Sequence, residues 1–115
     1  NCQLMNRENS TISEISPSQM KSMLKADNSH WVLDVREKWE REIRCIEPST
    51  HIPLGEFSDP ENIKLPKEIS KNSSIIIYCK AGVRSRTACE VLFSLGYKNL
   101  FNLSGGMIEW EEDNS

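Results

Sequence analysis

The sequence lacks any long apolar run. The longest is centred on Ile75–Ile77, far short of the roughly 20 residues a membrane-spanning helix needs. It also lacks a basic excess: 14 Lys and Arg stand against 17 Asp and Glu, a net charge of −3. General binding to nucleic acid or to an anionic membrane is therefore not expected. Histidine is scarce, with only His30 and His51, and no Cys-x-x-Cys pair occurs. No metal site is expected on that spacing. The four cysteines, Cys2, Cys45, Cys79 and Cys89, are too sparse for a disulfide scaffold. Free thiols in a reducing compartment are expected instead. No charged-then-apolar signal segment opens the chain. The expected location is cytoplasmic, or periplasmic if a signal segment was removed before Asn1.

At 115 residues the chain is one domain long, enough for a real core without staples. Residues 1–14 are polar and aperiodic and read as a tail or linker; residues 15–115 read as the domain. In "ISPSQMKSMLK", Ser16 suits an N-cap, Pro17 a first helical position, and Gln19 a capping box. Met20, Met23 and Leu24 then line one face. "HWVLDV" (30–35) reads as a buried strand, "REKWEREI" (36–43) as a charged helix with Trp39 and Ile43 on one face. "THIPLGEF" (50–57) reads as a short extended segment, and 59–69 as a loop with a helical turn. "SSIIIYC" (73–79) is continuously apolar, as a central parallel strand is. "SRTACEVLFSLG" (85–96) reads as a helix, "NLFNL" (99–103) as a strand, and "GGMIEWEE" (105–112) as a turn into a last helix. Alternating strands and helices predict an α/β domain with a central, mainly parallel sheet flanked by helices in three layers.

Cys79 ends the most apolar strand, and ligands of open α/β sheets sit at the carboxyl ends of strands. The loop Lys80, Ala81, Gly82, Val83 and Arg84 then leads to Ser85. Its amides can form an anion nest around the sulfur, Gly82 permits the turn, and the following helix adds its positive dipole end. From residue 69 to 89 there are four basic residues, Lys71, Lys80, Arg84 and Arg86, and no acid. Such surroundings lower a cysteine pKa and leave a nucleophilic thiolate, with a cradle for an anionic substrate.

"CKAGVRS" resembles the active-site loop of rhodanese-type sulfurtransferases. "LDVREKWE", "HIPLGEF" and "LSGGMIEW" resemble further segments of that family, in family order across residues 15–110. The likeness is to single-domain members, and most to rhodanese domains fused behind sulfur-carrier-activating adenylyltransferases. "EPSTHIPLGE" departs from the family's usual glycine frame, which implies altered loop geometry there. The resemblance implies a rhodanese-like fold and a Cys79 persulfide. That persulfide takes sulfur from thiosulfate or a protein persulfide and passes it to cyanide, a thiol or a sulfur-carrier protein. It implies substrate binding by Lys80, Ala81, Gly82, Val83, Arg84 and Ser85, with Ser85 capping the helix. No cofactor is implied. The protein is expected as a monomer or as part of a longer adenylyltransferase chain.

Asp34 and Arg36 are supporting candidates, read as an ion pair holding loops beside the site rather than as a catalytic pair. His51 reads as a structural residue, Cys89 as a small core residue, and Trp110 as packing for the last helix; Cys45 receives no role. Two alternatives are a cysteine-dependent phosphatase or arsenate reductase of related fold, and a non-catalytic binding module. Four residues separate Cys79 from Arg84, one fewer than in the phosphatases, and the intact cysteine disfavours the module.

Overall fold

The structure, a computed structural model, describes residues 12–113. Five strands and four helices follow one another as β1 (Ile12–Ile15), α1 (Pro17–Ala26), β2 (Trp31–Asp34), α2 (Lys38–Ile43), β3 (Thr50–His51), β4 (Ser74–Tyr78), α3 (Val83–Ser94), β5 (Asn99–Leu103) and α4 (Gly106–Asp113). Two short 3-10 turns, Leu54–Ser58 and Pro60–Asn62, bridge β3 and β4. The sheet order is β1-β5-β4-β2-β3 and every pairing is parallel. β4 is the middle strand, as its continuous apolar run predicts. Among the described residues no helix is long and apolar enough to cross a membrane.

The three layers follow from the two-residue period of the strands. Ile75, Ile77 and Cys79 face one side, where Ala88, Cys89 and Leu92 of α3 and Phe57 cover them. Ile76 and Tyr78 face the other, with Met20 of α1 and Met107 of α4. Trp110 packs at the margin of that second layer and carries the Lys21 ammonium 5.1 Å from its ring centroid. The start of α1 is locally encoded: Ser16 Oγ accepts from the Gln19 amide (3.2 Å), and Gln19 Oε1 accepts from the Ser16 amide (2.8 Å). Pro17 takes the first position, where a missing N–H costs nothing.

The structure departs from the expected elements at β1, at the start of α3 and after β3, where Leu54–Ser58 form a 3-10 turn in place of the extended segment read over 50–57. Residues 12–14, read as the end of a polar tail, form the edge strand β1 with Ile15. It pairs Ile12–Ile15 with Leu100–Leu103, and its polar Ser13 and Glu14 suit an edge that is partly solvated. Residues 1–11, the rest of that tail, lie outside the described residues. α3 begins at Val83, two residues before expectation, so Val83 and Arg84 belong to its first turn. α2 buries none of its residues: Trp39 and Ile43 are 63% and 73% exposed.

These placements predict opposite responses to truncation. Ile77→Ala, in the middle strand, should lower the unfolding free energy by about 2–5 kcal/mol, whereas Trp39→Ala should change it by no more than about 0.5 kcal/mol. Urea denaturation of both variants measures this. Equal losses would contradict the layer assignment.

Candidate active site

The carboxyl end of β4 places Cys79 at the top of the sheet, 1% exposed. The chain turns through Lys80, Ala81 and Gly82 and enters α3 at once. Gly82 is the N-cap, with φ at +98°. A Cβ there would stand 2.4 Å from the Ser104 carbonyl oxygen, so both the backbone conformation and the space call for glycine. The turn aims main-chain donors at the sulfur: the Gly82 amide reaches Cys79 Sγ at 3.1 Å and the Ser85 amide at 3.3 Å. The Ser85 hydroxyl lies 3.3 Å from the same atom.

The glycine pair at 105–106 braces this loop from behind. Gly106 has φ at +60°, and a Cβ on it would stand 2.4 Å from the Lys80 carbonyl oxygen. That close approach lets α4 begin directly under the loop. The Met107 amide donates to the Cys79 carbonyl (2.9 Å) and the Ile108 amide to the Lys80 carbonyl (3.1 Å). Helix N-termini supply such unpaired donors.

Burial is the largest influence on the Cys79 thiol and pushes its pKa up. The Ser85 hydroxyl and the amides of Ser85, Ala81 and Gly82 pull it down further, and the net shift is downward. The three cations are not among these leading influences. Arg84 forks onto Glu40 of α2, at 2.8 and 2.9 Å; Arg84 first, and then the Glu37 amide, hold the Glu40 carboxyl down at about 2 despite its desolvation. Arg86 pairs with Glu14 of β1 at 2.8 Å and with Glu90 at 3.3 Å. Of the cations in the acid-free stretch, Arg84 and Arg86 are thus met by acids brought in from other elements. Lys80 is exposed and makes no ion pair among the described residues. It lines a groove of about 180 Å³ with Trp39, Ile43 and Ile108.

Ser85 is not the cap of α3. It is fully buried inside the first turn, and its hydroxyl faces Asn102 as well as the sulfur. Asp34 and Arg36 stand as the ion pair expected. Arg36 Nε and Nη2 donate to Asp34 Oδ1 and Oδ2 at 3.0 and 2.9 Å. Arg41 and the Tyr78 hydroxyl add bonds to Oδ2 at 3.1 and 2.8 Å. Desolvation pushes the Asp34 carboxyl up, and the hydrogen bonds from Arg36 and Tyr78 bring it below its ordinary value. Neither residue bonds to Cys79 among the described residues. His51 Nε2–H donates to the Arg36 carbonyl at 2.7 Å, a structural contact. Cys89 is buried in the core, and burial pushes its thiol up to about 12. Cys45 lies at intermediate exposure, 3.7 Å from Glu47 Oε2.

Sequence reasoning missed Glu40, Glu14 and Asn102. Only Asn102 left a local signal: it shares the strand phase of Leu100, which faces α3, so its amide is polar where an apolar side chain is expected.

The arrangement can hold an anionic sulfur in a nearly dry site. With a small alkylating reagent and peptide mapping, the Cys79 rate should rise with pH and level off below the ordinary cysteine midpoint of about 8.5, because a depressed pKa fills the thiolate earlier. Cys89 should stay unlabelled across that range. A Cys79 midpoint above 8.5 would contradict the assigned donors.

Comparison with known proteins agrees with this geometry. The chain is 38% identical over 101 residues to the Bacillus subtilis protein named "Putative sulfur carrier protein YrkF", covering 88% of this chain and 52% of that one. It is 33% identical over 100 residues to "Putative sulfurtransferase YtwF" of the same organism, covering 87% and 91%. A crystal structure of a rhodanese-like domain protein from Staphylococcus aureus superposes with a TM-score of 0.72 at 28% identity, covering 85% and 90%. The chain thus spans about half the length of YrkF and nearly all of YtwF. The model of the rhodanese-like domain matches residues 16–113, and the chain belongs to that family.

Proposed function

We propose that this domain is a sulfurtransferase of the thiosulfate type that carries sulfane sulfur as a Cys79 persulfide. The observation that carries the reading is the pair of amides, Gly82 and Ser85, donating to one buried sulfur. In the first step the Cys79 thiolate attacks the outer sulfur of thiosulfate. A Cys79–sulfur bond forms, the sulfur–sulfur bond of the donor breaks, and sulfite departs with the electron pair. The negative charge then resides on the outer persulfide sulfur. In the second step a nucleophile such as cyanide or a thiolate takes that outer sulfur, and Cys79 returns as the thiolate. The amides stabilise the sulfur anion at both stages, as oxyanion donors do for oxygen. Lys80 is the exposed cation beside the groove that meets an incoming anionic donor.

A sulfur-carrier or persulfide protein is the partner this reading favours over a purely small-molecule exchange. The groove beside Lys80, the residue after Cys79, is walled by the exposed Trp39, Ile43 and Ile108 together with charged side chains such as Arg44 and Glu111. YrkF, similar over most of this chain, bears the name of a sulfur carrier. Free thiols at Cys45, Cys79 and Cys89 support work in a reducing compartment such as the cytoplasm. The phosphatase reading has less support: both terminal nitrogens of Arg84 are engaged by Glu40 instead of facing an oxyanion in the loop.

Intact mass after thiosulfate treatment tests the reading. A gain of one sulfur, about 32 Da, is expected; it should be removed by cyanide or reductant and be absent in Cys79→Ser. An unchanged mass together with hydrolysis of a phosphate ester would favour the phosphatase. Arg84→Ala leaves the Glu40 carboxylate without its partner beside the loop, so thiosulfate kcat/KM should fall by about tenfold, or ~1.4 kcal/mol, with the cooperative unfolding transition retained. Unchanged kinetics would remove Arg84 from the site.

A further inference from the structure

Among the described residues, Asn102 is the one buried polar side chain in contact with the Cys79 loop that the mechanism above leaves without a task. It lies in β5, 2% exposed, in register with Glu14 of β1 on one side and Ile77 of β4 on the other. A buried amide left without partners costs about 1–3 kcal/mol, and this one is fully occupied. Nδ2 donates to Glu14 Oε1 at 2.9 Å and to the Gly82 carbonyl at 3.1 Å. Oδ1 accepts from the Ser85 hydroxyl at 2.5 Å.

The direction of the amide follows from its neighbours. A main-chain carbonyl and a carboxylate both accept, so the NH2 group must face them and the oxygen must face Ser85. A serine hydroxyl has a single proton. While that proton points to Asn102, Ser85 presents only lone pairs to Cys79 Sγ, 3.3 Å away. That arrangement suits an S–H donor. An anionic sulfur needs the reverse, with the hydroxyl turned to the sulfur and Asn102 left without its donor. Asn102 and the Cys79 sulfur therefore compete for one proton.

We infer that Asn102 is a positioning residue that acts through Ser85, holding the hydroxyl away from the sulfur in the resting thiol and so limiting how readily Cys79 ionises. The inference rests on the reading of Cys79 as the sulfur nucleophile. The charged and titratable groups around this relay are Glu14 from β1, Arg84, Arg86, Glu90 and the Cys89 thiol from α3, Glu40 from α2 on Arg84, and Lys80 in the loop. None of them is altered by a change at Asn102 alone, although Glu14 loses one hydrogen bond.

A double-mutant cycle read by the pH midpoint of Cys79 alkylation tests the inference. Asn102→Leu keeps the branched heavy-atom skeleton and removes the acceptor, so the freed hydroxyl turns to the sulfur. The midpoint should fall, by about half a pH unit or more. Ser85→Ala should raise it. In the Ser85→Ala background, Asn102→Leu should have no further effect. A merely structural role gives the opposite sign, because a slackened Gly82 turn withdraws donors and raises the midpoint. A rise in Asn102→Leu, no change, or an equal shift in both backgrounds would overturn the inference. If Asn102→Leu shows no cooperative unfolding transition, Asn102→Thr, which suits a strand and is too short to reach Ser85, is measured by the same cycle. The titration is made on the untreated thiol. Failure of thiosulfate to add sulfur to the wild-type protein would therefore count against sulfur transfer alone, and a failed cycle against Asn102 alone.

Discussion

Two main-chain N–H groups aimed at one sulfur are the interaction on which the rest of this structure depends. They converge because β4 ends where α3 begins, with only Lys80, Ala81 and Gly82 between Cys79 and the helix. A turn that short needs a left-handed residue, and it needs the backbone of the loop to lie against the backbone after β5. Gly82 meets both requirements. The parallel sheet contributes by placing all strand ends, and the start of α3, on the same side. The donors are peptide groups and cannot be removed by a side-chain substitution, so the ionisation of the thiol depends on the path of the turn more than on the neighbouring cations.

A second constraint lies under the neighbouring loops. The Asp34 carboxylate is fully buried and takes bonds from Arg36, Arg41 and Tyr78. Arg36 in turn binds the Arg44 carbonyl, and the Tyr78 hydroxyl accepts from the Ile46 amide. One acid thereby orders the chain from residue 36 to residue 46, including α2, which has no buried side chain of its own. Without that network α2 would have little to hold it, and Glu40 would not be in place to engage Arg84. Removing one member of such a cluster leaves an uncompensated charge in a dry place, which is why buried pairs are costly to break.

Much of this was legible in the residues. The capping box of α1 is local, and Ser16, Pro17 and Gln19 suffice to locate it. β4 and β5 were legible from apolar runs, and the loop from its cysteine, glycine and arginine. β1 was not, because a four-residue edge strand containing Ser13 and Glu14 has too little pattern to separate it from a tail. The partners of the loop cations were not legible either: Glu40 stands 44 residues from Arg84, and Glu14 stands 72 from Arg86. A run of one charge sign says nothing about the acids that folding brings to it. Lys80, Arg84 and Arg86 are for this reason not among the leading influences on the thiol, while of the amides expected to face the sulfur Gly82 donates to it, joined by Ser85.

The bracing of the loop has a consequence for the order of events when the protein is made. The carbonyls of Cys79 and Lys80 are tied down by amides of α4, and Gly82 packs against Ser104. All of these partners leave the ribosome after the cysteine does. A nascent chain that has emerged only through α3 therefore carries the loop without any of these braces. The bracing is complete only with the final helix, so an incomplete translation product would carry the cysteine on a loop that nothing after β5 holds in place.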